Sequence, residues 1–280
     1  MKTTLMKIIT LLTILPFFMA CKKYLDMDII DKGRKPVVNA LFIVDSVPSA
    51  TVFQSTHILD PAESNNITNA KFIAIYNHQV FDTLYFSNTL NQYISYNHII
   101  QSNEKIKIQV ETNVGTVESE ITTPTKIQFN SADTFPYYGN SSTRQGTEIK
   151  LSFNDPSATK DYYIIYTLMG NYINATGYNG NDPSIEELNN HLFIEDLTFN
   201  GKQKNISLIF YNNFDEYMSN TLCIYLMHVD EHYYKYAYSA YKQQNTGISP
   251  FSEPVMVYNN IKNGYGIFGT AAISVININF

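Results

Sequence analysis

Side chains in residues 105–110 alternate strictly between polar and apolar types, reading Lys-Ile-Lys-Ile-Gln-Val. This alternation is typical of a half-buried β-strand, because successive side chains of a strand point to opposite faces. Similar strand-length runs precede and follow it, separated by turn signals such as Asp60-Pro61 and Asn65-Asn66. We predict an immunoglobulin-like β-sandwich over residues 36–123, with strands at 37–44, 50–57, 70–78, 83–87, 105–111 and 116–122.

The second half of the chain is predicted to be β-rich as well. The sequence contains 22 Tyr and 17 Phe but no Trp, and both residue types favour strands. One helix is predicted near residues 231–243, where tyrosines recur every three or four positions and Asp230 can cap the first turn. The predicted fold is therefore all-β, with the sandwich followed by a second β-rich domain, 124–280, that carries one helix. Its predicted strands are 126–130, 148–154, 161–169, 207–211, 222–229, 255–258 and 264–280.

The first residues have the layout of an export signal. Lys2 and Lys7 form a positive start, and residues 8–20 form an apolar stretch. A helix of that length covers about 20 Å, which is too short for the roughly 30 Å hydrocarbon core of a bilayer. We therefore interpret residues 1–20 as a signal peptide and not as a transmembrane helix.

Cys21 stands where a lipoprotein signal places the cysteine whose thiol receives diacylglycerol. We predict cleavage before Cys21, lipidation of its thiol, palmitate-type acyl chains that hold the protein on the membrane, and a tether over residues 21–35. Lys22 follows the cysteine, and the lack of an aspartate there favours the outer membrane. Whether the body faces the periplasm or the cell surface stays open.

The charge of the chain disfavours nucleic-acid binding. Removing residues 1–20 takes Lys2 and Lys7 from the 19 basic residues and none of the 25 acidic ones, so the formal charge changes from −6 to −8. An acidic body offers no electrostatic footprint for phosphate backbones. The second cysteine, Cys223, lies in an apolar run and is interpreted as a buried small hydrophobe without a disulfide partner.

Two motifs with possible chemistry have plainer explanations. His228-Val229-Asp230-Glu231-His232 matches the H-x-x-E-H pattern of zinc peptidases. That chemistry needs both imidazoles on one helical face, whereas a helix that begins near Asp230 leaves His228 on the preceding strand. Residues 264–269 have the spacing G-x-G-x-x-G, but a strand follows them where a dinucleotide fold needs a helix. We predict no catalytic residues, no metal and no cofactor.

Tyrosines outside the helix are the candidate binding residues. Tyrosine offers flat area and a hydroxyl at a modest entropic cost, which suits glycans and protein partners. Tyr137 and Tyr138 are predicted to lie in a loop, and Tyr172 and Tyr178 lie near Gly177 and Gly180. The helix tyrosines are interpreted as a stripe that faces the core.

Several segments in order resemble domain-of-unknown-function family 4249, lipoproteins of the Bacteroidetes envelope. The segments that carry the resemblance, besides the lipidated start and the tyrosine-rich helix, are 36–42, 67–73, 161–163, 196–202, 250–254 and 260–269. The resemblance implies an outer-membrane lipoprotein, often encoded beside a TonB-dependent transporter, and it carries over no catalytic residues.

Three functions follow as hypotheses. The first is a binding or accessory lipoprotein that acts with a TonB-dependent transporter in nutrient uptake, and not an enzyme. The second is an envelope hydrolase, with or without a metal ion, that uses His228, Glu231 and His232. The third is a purely structural role in the envelope.

Overall fold

A computed structural model of the protein describes residues 33–57, 60, 66–139, 145–157, 159–170, 172–173, 176–211, 220–246, 253 and 255–280. The predicted signal peptide, Cys21 and most of the predicted tether lie outside these residues. Residues Arg34–Phe280 form one compact unit. In the described part of the chain, no helix has both the length and the apolar character needed to cross a membrane.

The described residues form seventeen strands and one α-helix, α1 (Glu231–Thr246). The strands of the first half are β1 (Pro36–Ile43), β2 (Ser49–Gln54), β3 (Lys71–Tyr76), β4 (Val80–Ser87), β5 (Gln92–Ile94), β6 (Lys105–Thr112) and β7 (Gly115–Thr122). Those of the second half are β8 (Phe129–Tyr138), β9 (Gln145–Asn154), β10 (Tyr162–Met169), β11 (Tyr172–Ile173), β12 (Thr176–Tyr178), β13 (Ile185–Leu188), β14 (His191–Glu195), β15 (Gln203–Tyr211), β16 (Thr221–Val229) and β17 (Tyr265–Asn279). The predicted all-β class with one helix is confirmed.

Two sheets contain these strands. The larger sheet has the order β13-β14-β10-β16-β17-β1-β2-β5-β4-β3-β6-β7, and β11 pairs with the end of β10. The smaller sheet has the order β12-β15-β9-β8. β1 and β17 run parallel, whereas the neighbouring pairs β1–β2 and β16–β17 are antiparallel.

The first core is formed by inward-facing residues of the strands of the first half. Along these strands, the buried residues alternate with outward-facing ones. In β1, Val38, Ala40 and Phe42 are buried. They pack in one cluster with inward residues of β3 and β6, such as Phe72 and Ile108. Full burial of each large side chain stabilises the fold by about 1.5–3 kcal/mol relative to exposure.

The second half is layered, with the larger sheet between the smaller sheet and α1. On one face of the larger sheet, Tyr163 of β10 and Leu226 of β16 pack with Leu151 of the smaller sheet. On the other face, neighbouring residues of the same strands, such as Tyr162 and Met227, pack with α1. Both faces are buried, which explains the nearly continuous apolar runs of β10 and β16.

β17 contributes to both halves of the unit. Phe268 and Ala272 belong to the first core, and Ile278 belongs to the core beneath the smaller sheet. Gly266 faces Val38 of β1 with φ of 106°, and a Cβ at this position would lie 2.1 Å from the Val38 carbonyl oxygen. The predicted division of the chain between residues 123 and 124 stays a prediction.

Three local predictions differ from the structure. Residues 255–258, predicted as a strand, are irregular, and the Tyr258 N–H donates to Ser239 Oγ of α1 at 2.9 Å. β8 extends to Tyr138, so Tyr137 and Tyr138 lie in a strand and not in a loop. Cys223 is only half-buried. It alternates along β16 with Leu222 and Ile224, which belong to the core beneath the smaller sheet, so it points to the opposite face of the strand.

Candidate functional site

A cleft with a volume of about 910 Å³ lies beside α1. It lies between α1, the ends of β10 and β14, β13 and residues 256–259. We call it the α1 cleft and define it by four tyrosines, five charged residues and their neighbours. These residues are Tyr162, Tyr234, Tyr238, Tyr258, Lys160, Lys235, Glu186, Glu195, Glu231, Ser239, Met256, Val257 and Asn259.

α1 begins where Asp230 satisfies the first free backbone N–H groups. Asp230 Oδ1 accepts from the N–H of His232 at 2.8 Å and from that of Tyr233 at 3.1 Å. Asp230 Oδ2 accepts from the N–H and the Oγ1 hydroxyl of Thr270 in β17. One carboxylate therefore fixes both the start of the helix and its position on the sheet.

The inner wall of the cleft is aromatic. The rings of Tyr162 and Tyr234 lie 4.9 Å apart, and those of Tyr234 and Tyr238 lie 6.2 Å apart and nearly parallel. Burial raises the pKa of the Tyr162 and Tyr234 hydroxyls. These tyrosines are therefore neutral at physiological pH, and Tyr234 is part of the core that the helix covers.

Three Lys–Glu pairs surround this aromatic wall. Lys160 pairs with Glu195 at 3.3 Å, Lys235 with Glu231 at 2.7 Å, and Lys242 with Glu186 at 3.2 Å. Each ammonium also lies over a tyrosine ring, at 4.7 Å for Tyr162, 5.8 Å for Tyr258 and 4.3 Å for Tyr238. Lys160 and Lys235 line the cleft, whereas Lys242 lies outside its lining and pairs with the lining residue Glu186. Each glutamate of the cleft therefore has a lysine partner, and each of these lysines is held close to an aromatic face.

The pKa values of Glu231 and Lys235 agree with fixed charges at this pair. The hydrogen bond from Lys235 lowers the pKa of Glu231, and the same bond raises the pKa of Lys235. Tyr238 donates its hydroxyl to Glu186 at 2.6 Å. A carboxylate whose pKa is lowered stays ionised at neutral pH, so Glu231 is suited to binding and poorly suited to proton transfer.

A second depression of about 570 Å³ shares Lys160, Tyr162 and Glu231 with the α1 cleft. His228 lies at its base and is almost fully buried. Because a carbonyl oxygen only accepts, the His228 Nδ1–H donates to the Thr125 carbonyl at 2.7 Å, and Nε2 lies 2.9 Å from Asp161 Oδ1. Both ring nitrogens are therefore engaged within the protein.

The H-x-x-E-H segment is divided between two elements, as the predicted helix start requires. His228 ends β16, whereas His232 belongs to α1 and its Nδ1 lies 2.7 Å from the Tyr258 hydroxyl. Glu231 pairs with Lys235. The three side chains thus have separate partners.

A different group of carboxylates has the spacing for a metal ion. Asp155, Asp161 and Asp196 are buried and can each place an oxygen within 4.8 Å of the others. These oxygens already accept hydrogen bonds: Asp155 from the Tyr163 hydroxyl at 2.6 Å and from the Gly201 N–H at 2.8 Å, and Asp196 from the Asp161 N–H at 3.0 Å. Burial raises the pKa of Asp155. The group is a hydrogen-bonded junction that joins β9, β10 and the short 3₁₀-helix Asp196–Thr198.

Tyr137, Tyr138 and Tyr178, three of the four tyrosines predicted to bind a ligand, are not among the residues that line the α1 cleft. The binding role of all four stays a prediction. Tyr137 and Tyr138 line a shallow groove of about 420 Å³ with Phe135 and Phe280, and Tyr138 is 76% exposed. Tyr178 lies in β12, and its hydroxyl accepts from the Asp182 N–H at 3.2 Å. Tyr172 lies in β11, and its side chain is outside the described residues.

Sequence reasoning missed the cleft because its residues come from distant segments. The helical spacing of the tyrosines predicts only a stripe that faces the core. Tyr234 fits that interpretation, and it also lines the cleft together with Tyr162. A local sequence signal did exist for the hairpin β13–β14, which carries the cleft residues Glu186 and Glu195. The pair Asn189-Asn190 favours a two-residue hairpin turn, and both residues have the positive φ that this turn requires, 49° and 58°.

Residues 22–276 match the family described as a domain of unknown function (DUF4249). A search of curated proteins found no match.

Proposed function

The chain belongs to the DUF4249 family, and we propose that this member is a lipid-anchored binding protein of the outer membrane. In this proposal it takes a ligand in the α1 cleft and acts with a TonB-dependent transporter in nutrient uptake. It is not an enzyme.

The observation that carries the proposal is the α1 cleft. A cavity of about 910 Å³ lies within the size range of small-molecule sites, which combine apolar and aromatic walls with a few polar groups. The helix cap at Asp230 and the ring contacts between Tyr162 and Tyr234 hold this wall in place. A preformed wall lowers the ordering cost of binding.

Two features of the described residues support binding over catalysis. The cleft carboxylates Glu186, Glu195 and Glu231 each pair with a lysine. His228, the central residue of the hydrolase hypothesis, uses both ring nitrogens in contacts with Thr125 and Asp161. Neither arrangement leaves a group prepared to activate water.

Support for the membrane anchor comes from the sequence. The signal-like residues 1–20 lead directly to Cys21. Metabolic labelling with an alkyne fatty acid is expected to tag the wild type and a Cys223→Ser control and to leave Cys21→Ser unlabelled. Equal labelling of Cys21→Ser would refute the anchor.

The transporter is tested separately by crosslinking on intact cells, followed by purification of the protein from detergent-solubilised envelopes. We expect a TonB-dependent transporter among the crosslinked products of the wild type and its loss with Cys21→Ser, which cannot stay on the membrane. Crosslinked products that contain no transporter would remove the proposed partner.

A further inference from the structure

Resting on the proposed function, we infer that the ligand of the α1 cleft is an uncharged oligosaccharide. The inference follows from the charge balance of the cleft, the placement of its lysines and the chemistry of its aromatic wall.

A cationic ligand gains little in this cleft. Its preferred positions, beside a glutamate and over a tyrosine ring, are already held by Lys160, Lys235 and Lys242. Exposed ion pairs contribute about 0–1 kcal/mol and exposed cation–π contacts about 0.5–1 kcal/mol. A ligand cation would replace one such set of contacts with another and leave a displaced lysine nearby.

An anionic ligand has the converse difficulty. It would have to compete with Glu186, Glu195 and Glu231 for the three lysines. It would also approach a chain whose formal net charge is −6, or −8 once residues 1–20 are removed. Like charge slows association and weakens the complex at low ionic strength.

A wholly apolar ligand is disfavoured by the same pairs. It would strip water from ammonium and carboxylate groups without offering hydrogen bonds in return, and unpaired burial of polar groups is costly.

Neutral hydroxyl groups avoid all three difficulties. A hydroxyl accepts from an ammonium and donates to a carboxylate, so neighbouring hydroxyls of a sugar can bond to Lys160 and Glu195 while that pair, 3.3 Å apart, stays intact. Hydrogen bonds to charged groups are the stronger kind, about 1.5–3 kcal/mol each. The C–H faces of sugar rings can pack on Tyr238, which is half-buried, and beneath Met256, a residue that is 90% exposed at the rim.

The test is a glycan array of neutral and acidic oligosaccharides, followed by isothermal titration of the positives, with spermidine and a short basic peptide as charged probes. We expect one or more neutral oligosaccharides to bind with a Kd that changes less than about twofold when salt rises from about 50 to about 500 mM. Affinity is expected to fall about tenfold in Glu195→Gln and in Tyr238→Ala, since each loses a charged hydrogen bond or a ring face.

Matched controls lie outside the cleft. Glu111→Gln removes an exposed Lys–Glu pair with Lys71, and Tyr96→Ala removes an exposed tyrosine of the first half. Both should bind as the wild type does, and thermal melting confirms that every variant is folded. If Tyr138→Ala rather than Tyr238→Ala abolishes binding, the site is the β8 groove and the inference is wrong.

The outcomes separate the two proposals. Selective binding of spermidine, the peptide or acidic sugars, or no binding by any neutral sugar, overturns the oligosaccharide inference while crosslinking to a transporter still supports the accessory role. Neutral-sugar binding without any crosslinked transporter supports the inference and removes the partner.

Discussion

Gly266 shows how one residue permits a strand pairing. It combines φ of 106° with a position where a Cβ would lie 2.1 Å from the Val38 carbonyl oxygen. Both the backbone conformation and the close approach of β1 therefore require glycine.

We expect Gly266→Ala to destabilise the protein by about 2–4 kcal/mol, because it adds strain at positive φ and pushes β17 from β1. Urea denaturation followed by circular dichroism measures the loss. Gly177→Ala in β12 is the matched control, since a Cβ there meets nothing within 4 Å. Equal midpoints for the two variants would show that β1 and β17 are not packed as described.

Asp182 carries a pH-dependent part of the stability. Burial acts to raise its pKa, but hydrogen bonds from Lys204 and Ser184 outweigh this and lower the pKa to about 2. The Lys204 ammonium is buried and lies 2.7 Å from Asp182 Oδ2. The ionised carboxylate therefore stabilises the fold above its ordinary pKa of 3.8, and this contribution is lost as the pH falls towards 2.

We expect Asp182→Asn to cost about 1 kcal/mol at pH 7, a value reduced because Asp182 is one-third exposed and solvent screens the pair. The difference from the wild type should shrink steadily as the pH is lowered from about 5 to about 2.5. Urea midpoints at several pH values measure it. A difference that stays constant with pH would contradict the assigned pKa.

At the scale of elements, α1 depends on a single carboxylate. Asp230→Ala removes the cap of the first turn, worth about 1 kcal/mol. It also leaves the N–H of Thr270, which is fully buried, without its acceptor, at about 1–3 kcal/mol. We expect a total loss of about 2–4 kcal/mol, measured by thermal or urea denaturation.

Asp230→Asn is the informative comparison, because an amide oxygen can still accept one of these bonds. It should lie between the wild type and Asp230→Ala. If Asp230→Ala is as stable as the wild type, the carboxylate does not join α1 to β17.

The elements also show what the sequence could and could not predict. α1 and its cap were predictable because helical periodicity and a capping residue are local signals, and β6 was predictable from strict alternation. Residues 255–258 were predicted wrongly because an apolar run does not reveal that its backbone bonds to Ser239 of the helix. The α1 cleft was not predictable, since it forms only when β10, β14 and α1 come together through tertiary packing.

At the scale of the whole molecule, β17 is the strand that joins the two halves. It pairs with β1 on one side and with β16 on the other. It also supplies Phe268 to the first core and Ile278 to the second. Loss of this strand should therefore expose apolar surface in both halves at once.

We expect a fragment of residues 34–263 to be largely unfolded or aggregated, and a synthetic peptide of residues 264–280 to restore the native circular dichroism spectrum when mixed with it during refolding. A peptide of the same composition in scrambled order is the control. A fragment of residues 36–123 that folds by itself with a cooperative transition would contradict this dependence and would support the predicted division of the chain.

The parallel pairing of β1 with β17 also sets an order of events during synthesis. The ribosome makes β1 among the earliest parts of the body and its partner among the latest. Until then one side of β1 has unpaired backbone groups that can capture another extended chain. A nascent or prematurely terminated chain is therefore expected to need a chaperone at this unpaired edge of β1. The same edge lets proteases distinguish the incomplete chain from the folded protein.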